Sequence, residues 1–133
     1  MFKYLLLPFL FLTLVSSSSL AQSPVLKPKG KVAPVPDLVV RLSPARTYLT
    51  LNFKNLSTVK SFNYEVNYTG NNQSQGIFGQ VSKVKTNLLM RQLFLGTCSK
   101  KVCISHKGVK KLTVTARFTQ KNGKKTTRIV TLP

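Results

Sequence analysis

Two stretches of strict alternation between apolar and polar residues constrain this chain more than any other feature. They lie within residues 48–70 (YLTLNFKNLSTVKSFNYEVNYTG), on either side of a polar break at residues 55–60. A period of two places alternate side chains on opposite faces of a β-strand. The apolar set consists of Leu49, Leu51, Phe53, Phe62, Tyr64, Val66 and Tyr68. We therefore expect two strands that pair with each other and turn their apolar faces toward one core.

Edge strands are predicted on both sides of this pair. Residues 37–42 (DLVVRL) have the composition of a first edge strand. Residues 70–75 (GNNQSQ) have the composition of a loop. Residues 76–84 then predict an irregular edge strand that leaves Lys83 and Lys85 exposed, where lysines commonly guard an edge against unwanted pairing.

The second half of the chain continues the strand pattern. Residues 88–95 (LLMRQLFL) are mostly apolar, and the Gly-Thr that follows them favours a strand over two turns of helix. Residues 111–119 (KLTVTARFT) alternate clearly. The inward set there is Leu112, Val114, Ala116 and Phe118.

An Asn-Gly pair within residues 121–123 predicts a closing hairpin. A two-residue loop would pair Val114 with Thr131, whereas a three-residue loop pairs Val114 with Val130. Because a slip of one residue exchanges the two faces of a strand, burial favours the three-residue loop. That register turns Arg128 inward near the rim of the sheet.

The complete pattern is six or seven short strands without an amphipathic helix. Such a pattern is typical of an all-β, antiparallel β-sandwich. We assign this domain to residues 37–133.

The first 36 residues predict a leader and a tether. Residues 1–21 have a positive start, a short apolar run and small residues before Ala21, as in a cleaved signal peptide. An uncleaved anchor is the alternative, but the run is shorter than the roughly 20 residues of a membrane-spanning helix. Residues 22–36 (QSPVLKPKGKVAPVP) predict an extended Pro/Lys-rich tether. No stable membrane span is expected after cleavage.

Two segments carry a resemblance to a known family. Residues 64–70 (YEVNYTG) resemble the third strand of fibronectin type III-like domains, and residues 112–127 are similar to their last hairpin. The chain has no Trp, whereas that family usually carries one in its second strand, and it has Leu112 where the family often has Tyr. The resemblance implies a fibronectin type III-like or other immunoglobulin-like sandwich, a class commonly used in adhesion modules and spacers.

Two cysteines and one histidine lie close together in the sequence TCSKKVCISH. In an exported protein, Cys98 and Cys103 are expected to form a disulfide across a tight hairpin. Metal binding is the alternative, because His106 follows three residues after Cys103. A structural zinc site needs four ligands, and only the acids Asp37 and Glu65 could complete this one. We therefore expect no metal and no cofactor, and we expect His106 to be a surface loop residue.

The net positive charge of this chain is its most unusual feature. The chain contains 21 Lys and Arg residues against two acids, a formal net charge of +19. A small domain needs a net charge of magnitude only about 2 to 8 to remain soluble. A field of one sign attracts polyanions, although a merely solvated basic surface is the other interpretation. The candidate polyanion-binding residues are Lys100, Lys101, Lys107, Lys110, Lys111, Arg117, Lys121, Lys124, Lys125 and Arg128.

Few side chains in this sequence could act as catalytic acids or bases. One His and two scattered acids do not form the paired groups that general acid–base chemistry uses. The sequence therefore predicts a secreted or surface-associated, non-catalytic interaction module. Its expected partners are anionic polymers, such as cell-envelope polysaccharide or extracellular nucleic acid, or a surface protein. The alternative is a structural or accessory subunit of a larger cell-surface assembly.

Overall fold

A computed structural model of the protein describes Gly30 and residues 32–133. The predicted signal peptide and the first part of the predicted tether lie outside the described residues. Val32–Pro133 forms one compact unit. Within the described part of the chain, no helix is long and apolar enough to cross a membrane.

The described residues form an all-β fold of nine strands arranged in antiparallel sheets. The strands are β1 (Asp37–Leu42), β2 (Tyr48–Lys54), β3 (Val59–Gly70), β4 (Gln73–Val81), β5 (Leu89–Phe94), β6 (Gly96–Ser99), β7 (Val102–Ser105), β8 (Lys110–Gln120) and β9 (Lys125–Leu132). One sheet has the order β1-β2-β5, and a second has the order β4-β3-β8-β9. Strands β6 and β7 pair only with each other. The prediction of an antiparallel β-sandwich is confirmed, with nine strands in place of six or seven.

Aromatic rings join the two larger sheets face to face. Phe53 of β2 packs against Phe62 and Tyr64 of β3, with ring centroids 4.6 and 5.5 Å apart. Phe118 of β8 lies 6.3 Å from Phe53 and 5.4 Å from Phe62. The predicted inward residues of β2, β3 and β8 are all buried. Alternation in the sequence therefore identified the two inner faces of the sandwich.

The predicted pairing of the first two alternating strands is wrong. Strand β2 pairs with β1 and β5, whereas β3 pairs with β4 and β8. The residues between β2 and β3 carry the chain from one sheet to the other, and buried Leu56 and Val59 hold that crossing in the core. The two apolar faces therefore look at each other across the core, because a period of two specifies a face and not a neighbour.

The predicted loop at residues 70–75 is also wrong. Strands β3 and β4 form a hairpin in which Gly70 pairs with Gln73. The turn is therefore only Asn71 and Asn72, with φ angles of 53° and 56°. Two consecutive residues with positive φ are typical of a tight type I′ turn, and Asn tolerates that conformation. The polar residues after the turn continue as an edge strand.

The closing hairpin has the predicted register. Val114 pairs with Val130 and Leu112 pairs with Leu132. Gly123 has a φ of 86° at the turn, and the Gln120 amide donates to the Lys124 carbonyl at 2.8 Å. This is the three-residue loop closed by a left-handed glycine. The predictions of edge strand β1 and of a strand at residues 88–95 are also confirmed.

The last residues of the predicted tether contact the sandwich. Pro36 is buried, and its carbonyl accepts a hydrogen bond of 3.0 Å from Nε of Arg128. The Val35 carbonyl accepts a bond of 3.2 Å from Nδ2 of Asn55. Arg128 lies on the inward side near the rim of the sheet, as its register requires. The hydrogen bond to Pro36 satisfies its Nε donor.

Phe53 supplies the most direct test of the packing. Replacing Phe53 with Ala should lower the free energy of unfolding by about 3–5 kcal/mol, because it empties the contact between the two sheets. Phe78 is the matched control, since its side chain is 67% exposed. Phe78→Ala should change stability by no more than about 0.5 kcal/mol. Denaturant unfolding measures both, and equal effects would contradict the described core.

Candidate functional site

Apart from Arg117 and Arg128, the predicted polyanion-binding residues lie toward the two ends of β8. Strand β8 begins at Lys110 and ends at Gln120, so at about 3.3 Å per residue its ends lie about 30 Å apart. At its beginning lie Lys110 and Lys111, together with Lys107 and the base of the hairpin that carries Lys100 and Lys101. Beyond its end lie Lys121, Lys124 and Lys125. The residues at the two ends of β8 therefore form two separate groups.

Three of the predicted residues already have partners within the domain. Arg117 lies on the outer face of β8, with its guanidinium 3.7 Å from Glu65. Both side chains of that ion pair are about half exposed, so it contributes little to stability. Arg128 donates to Pro36, as described above, and Nζ of Lys121 donates to the Ser57 carbonyl at 3.0 Å.

A further group of cations surrounds two adjoining clefts at one side of the sandwich. One cleft of about 180 Å³ is lined by Lys83, Lys85 and Arg91, and the second, of about 240 Å³, is lined by Lys85 and Lys121. The two clefts share Val84, Lys85 and Thr86. We call the two clefts together the basic groove. Lys60 is close by, because its carbonyl accepts a hydrogen bond of 3.0 Å from the Val84 amide.

The groove forms where the edges of the two sheets meet. Strand β4 is an edge of the four-stranded sheet, and β5 is an edge of the three-stranded sheet. The segment between them crosses from one sheet to the other. Val84 and Leu89 pack against the core, which leaves the flanking Lys83 and Lys85 exposed. Alternation along the chain therefore separates an apolar floor from a basic rim.

Hydrogen bonds fix the crossing segment at its far end. The Leu56 amide donates to the Asn87 carbonyl at 3.1 Å, and the Ser57 amide donates to Oδ1 of Asn87 at 3.1 Å. Arg91 completes the rim from β5. Arg91 pairs with buried Leu51, so its side chain lies on the inward face of the sheet. It is nevertheless exposed, because β5 is an edge strand. A charge in that position also hinders edge-to-edge pairing with another chain.

No acidic residue lines the groove. Both acids of the chain lie elsewhere. Asp37 begins β1 and accepts a hydrogen bond of 2.8 Å from the Leu38 amide, while Glu65 lies beside Arg117. The four cations of the groove therefore meet no opposing carboxylate, and their shared field favours an anion.

A further cleft in the sandwich has a different character. It measures about 340 Å³ and lies between β1 and β9, with Arg46 on its wall. Nη1 of Arg46 donates to the Val109 carbonyl at 2.9 Å and to the Pro133 carbonyl at 3.0 Å. This arginine therefore joins chain segments, and no other cation among the described residues lines the cleft.

Sequence reasoning identified only one of the four groove cations as a ligand residue. Lys121 was predicted, whereas Lys83 and Lys85 were expected only to guard an edge, and Arg91 had no assigned role. The available signal was the pattern Lys-Val-Lys at residues 83–85, followed closely by Arg91. That pattern becomes a groove only because β4 and β5 belong to opposite sheets, which the sequence pattern does not specify.

The cysteines form the predicted disulfide. Cys98 and Cys103 are direct cross-strand partners in the β6–β7 hairpin, with sulfur atoms 2.07 Å apart. Ser99 pairs with Val102, so only Lys100 and Lys101 form the tip. We call this hairpin, Gly96 to Ser105, the finger.

His106 lies in a loop beside Lys107, as expected, but its side chain is not free at the surface. It is half-buried at the base of the finger, with its ring against Tyr68. Its Nδ1 lies 2.9 Å from the Tyr68 hydroxyl, and its Nε2 lies 3.0 Å from Oγ1 of Thr97. Both ring nitrogens therefore have hydrogen-bond partners, and the ring joins the finger to strand β3. Among the described residues, no three His, Cys, Asp or Glu side chains are placed to share a metal ion.

Comparisons with models of known protein families, with curated proteins and with solved structures find no match to this chain. The class of protein must therefore be inferred from the sandwich and from the basic groove.

Tyr68 predicts how stability changes at high pH. Burial raises the pKa of Tyr68 above its ordinary value of 10.0. The folded state therefore keeps the phenol proton at pH values where the unfolded chain has lost it. This contribution to stability is complete below about pH 10 and falls as the pH rises further.

Tyr68→Phe should remove that part of the pH dependence and cost about 1 kcal/mol at neutral pH, through the lost hydrogen bond to His106. Tyr48→Phe is the control, because Tyr48 is exposed. Unfolding measured between neutral pH and pH 11 or so tests this, since tyrosine ordinarily titrates near 10. An unchanged slope in Tyr68→Phe would contradict the prediction.

Proposed function

We propose that this protein is a non-catalytic interaction module that binds anionic polymers through the basic groove. The observation that carries the proposal is the convergence of Lys83, Lys85, Arg91 and Lys121 around adjoining clefts that no acid lines. A positively charged groove of this kind attracts sulfate, phosphate or carboxylate groups along a polymer.

Fold details support a fibronectin type III-like assignment within the β-sandwich class. In immunoglobulin constant-type sandwiches, the fourth strand belongs to the same sheet as the first and second strands. Here β4 pairs with β3 in the sheet that also contains β8 and β9, opposite β1 and β2. We propose the fibronectin type III-like subtype, with the finger as an insertion between β5 and β8.

The disulfide and the predicted leader support a secreted or surface-associated location. The disulfide is exposed, and exposed structural disulfides persist in oxidising surroundings. The leader predicted at residues 1–21 has the pattern of an export signal. In that location, the available polyanions are envelope polysaccharides and extracellular nucleic acid.

The composition of the groove favours charge recognition over base recognition. Among the described residues, its walls contain lysine, arginine, serine, threonine, asparagine and aliphatic side chains, without an aromatic ring. Proteins that hold single-stranded nucleic acid usually stack bases on aromatic side chains. Contacts to phosphate position a polymer without reading its sequence. We therefore propose binding that depends on charge density and falls steeply with salt.

The histidine and the two acids already have partners within the domain, which supports a non-catalytic role. Both nitrogens of His106 are within hydrogen-bond distance of hydroxyl groups. Asp37 and Glu65 lie on different sheets and have partners of their own. Neither acid is paired with the histidine, as general acid–base chemistry would use them.

Salt titration of binding to heparin and to duplex DNA tests the proposal. Each phosphate contact contributes about 0.9 to the slope of log affinity against log salt. The triple variant Lys83→Gln, Lys85→Gln, Arg91→Gln should therefore lower the slope on DNA by about 2 to 3. It should weaken heparin binding in parallel.

The matched control removes the same charge elsewhere. Lys107→Gln, Lys110→Gln, Lys111→Gln lowers net charge equally but lies at the other end of β8. It should leave most of the slope intact. Equal losses in the two triples would show that only net charge matters and would refute the groove. A stoichiometric protein partner that remains bound in high salt, without affinity for polyanions, would favour the accessory-subunit alternative.

A further inference from the structure

The finger stands apart from the rest of the sandwich. Strands β6 and β7 pair with each other and with no other described strand. Every residue from position 97 to position 104 is exposed. An isolated two-stranded hairpin is at best marginally stable in water. A protruding hairpin of this kind therefore needs other contacts to hold its shape.

Three features at the base and middle of the finger supply those contacts. The disulfide links the strands halfway along, and His106 joins Thr97 to Tyr68. At Gly96, an added Cβ would lie 2.3 Å from the Ile104 carbonyl oxygen and 2.4 Å from the Phe94 ring. This close approach requires glycine at the base of the finger. The finger is therefore preorganised, which lowers the cost of ordering it on binding.

One face of the finger carries two exposed aliphatic side chains beside Thr97 and Ser99, and the tip of the finger is basic. Val102 and Ile104 point to the same face of β7, and they are 63% and 67% exposed. Lys100 and Lys101 form the tip directly beside them. Within the described residues, this arrangement combines two exposed aliphatic side chains with two lysines on one protrusion.

We propose that the finger inserts into the interfacial region of an anionic lipid surface. Lysines at the tip fit anionic headgroups, and polybasic segments are attracted to such surfaces. Exposed aliphatic side chains gain little from a hydrated soluble polymer, but they become buried at the boundary between headgroups and acyl chains. A lipid surface therefore matches both chemistries of the finger, whereas a soluble polyanion matches only the charge.

The finger and the basic groove share no residue. The finger begins at the end of β5, whereas the groove cations on the crossing segment precede the start of β5. Loss of groove function would leave the finger unchanged, and the reverse also holds. The experiment can therefore distinguish failure of one proposal from failure of the other.

The test compares two isoleucines of nearly equal exposure. Ile104 is 67% exposed on the finger, and Ile129 is 65% exposed on the outer face of β9. Binding is measured by co-sedimentation with vesicles of phosphatidylcholine mixed with phosphatidylglycerol, and with vesicles of phosphatidylcholine alone. The wild-type protein should prefer the anionic vesicles. Ile104→Ser should weaken that binding by about tenfold through lost apolar burial, while Ile129→Ser should bind as the wild type does.

Two further measurements separate insertion from charge and from misfolding. Ile104→Ser should bind soluble heparin as the wild type does. Adding Ile104→Ser to the groove triple variant should still weaken vesicle binding. The double variant Cys98→Ser, Cys103→Ser should weaken vesicle binding while the sandwich keeps its near-ultraviolet circular dichroism, since the disulfide lies within the finger. Equal vesicle binding by Ile104→Ser and Ile129→Ser would overturn the proposal. Equal loss of heparin and vesicle binding in Ile104→Ser would overturn it as well, and would identify the finger as a polyanion contact.

Discussion

Contact between the ring of Phe53 and the rings of the opposite sheet holds the two halves of this domain together. Phe53 comes from the three-stranded sheet, and Phe62, Tyr64 and Phe118 come from the four-stranded sheet. Aromatic pairs of this kind contribute about 0.5–1.5 kcal/mol beyond the area that they bury. Their packing sets the spacing of the sheets. It therefore also determines where the two sheet edges meet and where the basic groove lies.

Several of the positive charges lie at sheet edges and strand ends, because an unpaired charge in the interior would be costly. Each edge strand exposes unpaired backbone groups, and lysine or arginine beside such an edge discourages pairing with another chain. Lys83, Lys85 and Arg91 meet that requirement at the β4 and β5 edges. With only two acids in the chain, the same residues also form an unopposed cationic surface. Protection of the edges and attraction of anions are thus compatible roles for one set of side chains.

The sequence predicted faces and registers well because those depend on local pattern. Alternation identified Leu49, Tyr64 and Val114 as buried, and the cost of exposing Val130 selected the three-residue loop in the last hairpin. The same alternation could not specify which strands pair, since a connection at residues 55–58 can form a hairpin or cross between sheets. That choice depends on the whole core. The two-asparagine turn was missed because positive φ at both residues was not considered.

The candidate site was predictable only in part for the same reason. Local sequence located the disulfide and the excess of lysines, which depend on spacing and composition. It did not locate the groove, because Lys83 and Arg91 belong to a segment and a strand that meet through sheet packing. The role of His106 was missed because its partner Tyr68 lies 38 residues earlier in the chain. Both omissions in the site concern contacts that form only when the sheets pack, which alternation does not encode.

Nuclear Overhauser contacts in the isotopically labelled protein test the central claim, that β2 and β3 face each other across the core instead of pairing side by side. Contacts are predicted between the ring protons of Phe53 and those of Phe62 and Phe118, with backbone contacts from β2 to β1 and β5. Strong contacts between backbone α-protons of β2 and β3, as in a single hairpin, would contradict the account. The basic groove would then lose the crossing of sheets on which it depends.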